Sequence, residues 1–102
     1  MQVFRDYEGL AVRLTDERFS HIRRRPEMVG QETKIGETCA DPDVVIESRQ
    51  DPSVRLYHRL YQETPVTRKY LLVAVKILTG DAFVVRTLFT DRQTQGSVRW
   101  AR

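Results

Sequence analysis

The sequence predicts an α+β fold, with two N-terminal helices packed on a four-stranded antiparallel sheet. Three observations lead there. Residues 16–40 carry helical spacing and helical punctuation. Beyond Pro42 the apolar residues change to runs and alternations rich in β-branched and aromatic types. Two short turn signals, Asp51-Pro52-Ser53 and Thr79-Gly80-Asp81, divide those runs.

Met1–Gly9 is mixed and reads as a short strand or extended lead-in. Leu10, Val12 and Leu14 alternate with Ala11 and Arg13, the pattern of a half-buried strand. Thr15 then offers an N-cap, and Asp16 and Glu17 suit the positive end of a helix dipole. The first helix is expected from about Asp16 to Arg25, where Pro26 turns the preceding residue away from helical geometry. Phe19 and Ile22 make its apolar stripe, while His21, Arg24 and Arg25 share another face. A second helix is expected over Glu32–Ala40 with Ile35 and Cys39 inward. Gly36 weakens it and Asp41-Pro42 ends it.

The four strands are expected over Val44–Ser48, Val54–Tyr61, Lys69–Leu78 and Ala82–Thr90, with Glu63–Arg68 as a longer loop. A three-residue turn at Thr79–Asp81 pairs Leu78 with Ala82, Ile77 with Phe83, Val75 with Val85 and Val73 with Thr87. That face is expected to be core. The other then carries Tyr70, Leu72, Ala74 and Lys76 beside Val84, Arg86, Leu88 and Thr90. On the preceding strand Arg55, Tyr57, Arg59 and Tyr61 alternate with Val54, Leu56, His58 and Leu60. Cations and stacking rings along one face suit single-stranded nucleic acid; the plainer reading is a half-exposed sheet surface.

Composition bounds the rest. With 102 residues, 40% hydrophobic and 30% charged, the chain suits one globular domain over residues 1–102. The net charge of +3 leans toward a polyanionic partner, though 14 acidic residues are interspersed among 17 basic ones. A lone Cys39 leaves no internal disulfide and suits a reducing compartment. Neither a membrane-length apolar run nor a signal-peptide layout is present, so a cytoplasmic location is expected. The two His and one Cys lack metal-ligand spacing, and there is no phosphate-cradling Gly-rich loop or Gly-x-Ser-x-Gly elbow. No metal and no cofactor is expected.

The run His21-Ile22-Arg23-Arg24-Arg25-Pro26-Glu27 resembles the His-x-x-x-His-Pro-Glu box of a phage-associated nuclease-like family grouped with barnase, EndoU, colicin and RelE toxins. Later landmarks fall in the same order: Glu37–Asp43, Leu56–Tyr61, Lys69–Lys76 and Phe83–Asp91. The resemblance runs from about Leu14 to Trp100. It implies a barnase/RelE-like fold and RNA cleavage. Two positions depart from the pattern: Arg25 stands where a second His is expected, and His58 replaces a usual aromatic.

Cleavage of RNA without a metal needs a base for the 2′-hydroxyl, an acid for the leaving 5′-oxygen and cations around the phosphate. His21 is the candidate acid or base, and Glu27 a possible second one. Arg24, Arg25 and Arg86 offer bidentate charge and Lys76 a point charge, while Thr90 or Tyr57 could position substrate. Each has a plainer reading: His21 as a capping or partly buried histidine, Arg23–Arg25 as a solvated helix end, Glu27 as a structural partner, Lys76 and Arg86 as ion-pair partners. The expected catalytic set is therefore His21, Arg24, Lys76, Arg86 and Thr90, and the expected nucleic-acid-binding set is Arg25, Arg55, Tyr57 and Arg59. The expected partners are RNA and, for a toxin-like protein, an antitoxin or inhibitor. The competing reading is an inactive RNA- or protein-binding module of the same fold.

Overall fold

In the computed structural model, which describes residues 1–102, seven strands form one sheet against which two helices pack. The chain opens with a hairpin, β1 (Gln2–Arg5) and β2 (Ala11–Leu14), followed by α1 (Asp16–Arg23) and α2 (Glu32–Ala40). β3 (Val44–Glu47), β4 (Val54–Tyr61), β5 (Lys69–Leu78) and β6 (Asp81–Thr90) follow, and β7 (Ser97–Ala101) closes the chain. The order across the sheet is β1-β2-β6-β5-β4-β3-β7. All pairings are antiparallel except β2 with β6, which is parallel.

The expectation of two helices on a four-stranded antiparallel sheet is corrected here: the sheet is seven-stranded and mixed. The β3–β6 meander is present, but its two edges do not stay open. An open edge leaves a row of unpaired N–H and C=O groups. The N-terminal hairpin covers one edge, and the Arg13 guanidinium forks onto Asp81 at 2.9 and 2.8 Å where β2 meets β6. β7 covers the other by pairing with β3.

Thr15 caps α1 as its sequence suggests, its hydroxyl accepting from the Arg18 N–H at 3.2 Å. The helix stops at Arg23, earlier than expected, and Pro26 starts a short 3-10 helix, Pro26–Met28, instead of merely ending α1. α1 packs on β6, and α2 packs on β5, β4 and β1, all on one face of the sheet. That face holds the core: Val12, Leu14, Ile22, Met28, Ile35, Cys39, Val45, Tyr57, Leu71, Val73, Val75, Ala82 and Val84 are buried together.

The β5–β6 register follows expectation at one end only. Val73 does face Thr87, but Val75 faces Val84 and Leu78 faces Asp81, because the turn is two residues, Thr79-Gly80. Gly80 takes φ +73°, a left-handed value that glycine adopts without a Cβ clash. The register shifts by one between Ala74 and Val75, leaving Val85 as the extra residue of a β-bulge. Consequently Ala82 and Val84 go to the core in place of Phe83 and Val85.

Candidate functional site

On the sheet face away from the helices the structure forms a cleft of about 560 Å³. Its floor is aliphatic: Val54 and Leu56 from β4, Leu72 and Ala74 from β5, Leu88 from β6. One wall is the β3–β4 loop, Ser48–Asp51; the other is Thr94 and Gln95, within the segment Asp91–Gly96 that carries the chain from β6 to β7. Because β6 and β7 lie on opposite sides of β5, β4 and β3, this segment must cross the sheet. It runs over this face as a strap, bonded to His58 of β4 through Thr94.

The polar groups of the cleft come from strands whose alternation points them here. Arg86 pairs with Ala74, so it projects on the same side as Leu72 and Leu88. Its guanidinium is exposed and forms no hydrogen bond or ion pair within the protein. Lys76 lies just beyond the lining at one end, its ammonium 2.6 Å from Oδ2 of Asp51, which does line the cleft. That contact, with donation from the Ser53 hydroxyl and backbone N–H, draws the Asp51 carboxyl down to about 2. Asp51 is thus an anion at neutral pH and a weak base. Thr90 lines the opposite end, and its hydroxyl donates to the Arg92 carbonyl at 2.9 Å, leaving its lone pairs free to accept. No group of three or more His, Cys, Asp or Glu side chains is gathered for a metal, and no helix is long and apolar enough to cross a membrane.

Arg86 and Thr90 therefore line one cleft, as alternation along β6 suggests, while Lys76 reaches its wall only through Asp51. His21, Arg24 and Arg25 are not among them. They belong to α1 and its C-terminal end, and α1 packs through Ile22 on the other face, so the sheet stands between His21 and Arg86. His21 is exposed, its Nδ1 3.5 Å from Arg24 Nη1. Arg23 beside them stacks over Phe19 and reaches Glu32 at 3.8 Å. Glu27, within the 3-10 helix, makes no ion pair with His21 or Arg25.

The Arg55, Tyr57, Arg59 row of β4 faces the helices, not the open side. Tyr57 is wholly buried and its hydroxyl donates to Asp6 Oδ2 at 2.6 Å; burial and that carboxylate together raise its pKa. Arg55 lies 3.7 Å from Glu8 and 4.0 Å from Asp6, and Arg59 donates to Asp41 Oδ2 at 2.7 Å. Cation–ring alternation on a strand has the same appearance whether it faces solvent or a set of carboxylates. Here Asp6, Glu8, Glu37 and Asp41 are those carboxylates.

Arg49, Gln50, Thr94 and Gln95 complete the cleft without any signal in their own segments. They come from a loop and a crossover, and only the strand order brings them together. His58 is placed on the cleft side of β4 by its alternation with Leu56 but is fully buried beneath the strap. Burial holds its pKa below the ordinary imidazole value.

No curated protein and no solved structure gives a match to this chain. A family model does, over residues 1–100, which is nearly the whole chain. The seven-stranded sheet with its cation-rimmed cleft thus belongs to a member of the family described as phage-Barnase-EndoU-ColicinE5/D-RelE like nuclease2.

Proposed function

We propose that this nuclease-family protein is a metal-independent endoribonuclease that holds the scissile phosphate in the cleft on the open sheet face. The observation that carries the reading is Arg86: an exposed guanidinium with no protein partner, set at the rim of an aliphatic floor in a cleft that Arg49 also lines. A guanidinium without an anion beside a pocket of nucleotide dimensions is suited to a phosphate oxygen pair. The aliphatic floor lowers the local dielectric and strengthens that contact.

In this reading a 2′-hydroxyl gives its proton to water and attacks the adjacent phosphorus, the P–O5′ bond breaks as the 5′-oxygen takes a proton from water, and a 2′,3′-cyclic phosphate and a free 5′-hydroxyl result. Arg86 and Lys76 neutralise charge growing on the non-bridging oxygens, and Thr90 accepts a hydrogen bond from a ribose hydroxyl. The cations required are side chains of the cleft, which supports chemistry without a metal. His21, Arg24 and Arg25 lie outside this centre, and their role here is to contact the RNA backbone beyond the cleft.

The test is cleavage of a single-stranded RNA in chelator, beside the same strand with 2′-deoxyribose throughout. Arg86→Ala is expected to lower kcat by about 100-fold, the scale of losing one preorganised charge at the reacting group. His21→Ala is expected to raise KM while leaving kcat within about threefold, as loss of uniform binding does. Undiminished turnover in Arg86→Ala, or cleavage of the deoxy strand, refutes the proposal.

One observation favours a second reading. Arg25 replaces a histidine of the family box, and the one imidazole on the cleft side, His58, is sealed. A protein that binds RNA without turning it over would show salt-sensitive affinity that Arg86→Ala weakens, with no product at any enzyme concentration.

A further inference from the structure

His58 lies in a row with Val54, Leu56 and Leu60, on the face away from the helices, yet it has no exposed surface. What covers it is the strap. His58 Nδ1 is 3.0 Å from the Leu56 carbonyl, which can only accept, so that nitrogen carries the proton. Nε2 is 3.1 Å from the Thr94 backbone N–H, which can only donate, so that nitrogen is bare. The two partners together require one neutral tautomer. The Thr94 hydroxyl also lies 3.0 Å from Nε2.

The strap is pinned on both sides of this bond. Thr90 donates to the Arg92 carbonyl, and Gln93 donates to the Tyr70 hydroxyl at 3.4 Å. At the far end Gly96 presses on β3, where a Cβ would fall 2.6 Å from Ile46 Cγ2 and 2.7 Å from the Glu47 carbonyl oxygen. Thr94 and Gln95, between these anchors, are the strap's contribution to the cleft wall.

We propose that His58 is a positioning residue for the cleft: its neutral ring holds Thr94, and so the strap, in place as one wall, and protonation of the ring releases that wall. The proposal rests on reading the cleft as the site of RNA cleavage. When Nε2 gains a proton it meets the Thr94 N–H donor to donor. The Thr94 hydroxyl can rotate and accept, but the backbone amide cannot, so one of the strap's central bonds is lost.

The surroundings offer the imidazolium no compensating ion pair. The titratable or charged groups of the elements packed against it are Lys69, Tyr70 and Lys76 on β5, Glu47 on β3 with Asp43 ahead of it, and Asp91 and Arg92 in the strap. Lys76 is paired with Asp51 and Glu47 with Arg99. Tyr70 meets the imidazole edge-on, with ring centroids 6.5 Å apart. Asp43 is committed to the Leu60 N–H and to Arg102, and Asp91 to Lys69. Desolvation is the leading influence on the ring and disfavours its charged form.

The experiment follows amide exchange of Thr94 by NMR in the full chain, at neutral pH and at about pH 5, alongside kcat and KM on single-stranded RNA. Acidification of the wild type is expected to lower the Thr94 protection factor, taken against the intrinsic exchange rate at each pH, about tenfold, the scale of one lost hydrogen bond. KM should rise in the same range with kcat nearly unchanged. His58→Gln is the rescuing variant: its amide oxygen can accept from the Thr94 N–H and does not titrate, so protection and KM should lose their acid sensitivity. His58→Leu should expose Thr94 at neutral pH already.

A Thr94 amide equally protected at both pH values in the wild type, or an acid response unchanged in His58→Gln, overturns the proposal. The exchange measurement needs no turnover. A protein that cleaves nothing but loses Thr94 protection on acidification would refute the nuclease reading while keeping the latch, and the converse would refute the latch alone.

Discussion

At Thr87 the core face of β6 carries a hydroxyl, 1% exposed, opposite Val73 and without a hydrogen-bond partner. A buried hydroxyl left unpaired loses its water bonds and regains nothing, a cost of about 1–3 kcal/mol. Thr87→Val keeps the β-branched shape and removes the orphaned oxygen. It is expected to raise stability by about 1 kcal/mol, read as a higher urea midpoint at unchanged m-value. A lower midpoint would mean that Thr87 has a partner after all. The same scale shows where alternation is informative and where it is not. Lys76, Arg86 and Thr90 are assigned to one face by period two along β5 and β6; Arg86 and Thr90 line one cleft, and Lys76 bonds to its wall at Asp51. Arg55, Tyr57 and Arg59 obey the same period, but period two says nothing of which side the face takes. The buried Asp6 carboxylate decided that, through Tyr57.

Among the elements, α2 shows a weakness written into its sequence. Gly36 stands mid-helix, where glycine costs about 1 kcal/mol relative to alanine. The nearest atoms a Cβ there would meet belong to the Phe4 side chain, at 3.6–3.9 Å, ordinary contact distances. Gly36→Ala should therefore raise Tm, with a gain of about 0.5–1 kcal/mol. A fall in Tm would mean that β1, which carries Phe4, is displaced. The helices were legible because their caps and stripes are local: Thr15, Asp16, Ile22, Ile35 and Cys39 all behave as their spacing suggests. The β5–β6 hairpin was legible only in part. Its turn residues are local, but the bulge at Val85 depends on how β6 lies against β2 and α1 as well as β5. A one-residue slip there exchanged Phe83 and Val85 for Ala82 and Val84 in the core.

For the molecule as a whole, His58 links stability to pH. Its pKa in the folded chain is below that of the unfolded chain, so on acidification the unfolded state takes up the proton first. The stabilisation from the neutral ring is complete above the ordinary imidazole pKa of about 6.5 and is lost as pH falls below it. The slope from this single group cannot exceed about 1.4 kcal/mol per pH unit. Urea unfolding between neutral pH and about pH 5 should show wild-type stability falling with pH, with a smaller fall in His58→Gln. Equal slopes would show that another group is responsible.

The chain's own order of residues was enough to place the helices, the central four-strand meander, and a set of cations along β5 and β6, since each depends on neighbours a few positions apart. It also carried the family likeness, which rests on motifs in series. The extension to seven strands, the parallel contact of β2 with β6, and the cleft between Ser48–Asp51 and the Asp91–Gly96 strap arise from contacts between distant segments. Arg13 meets Asp81, β7 meets β3, and Thr94 meets His58 across dozens of intervening residues. Such pairings minimise unpaired backbone at sheet edges and unpaired polar atoms in the interior, and both quantities exist only once the fold is formed.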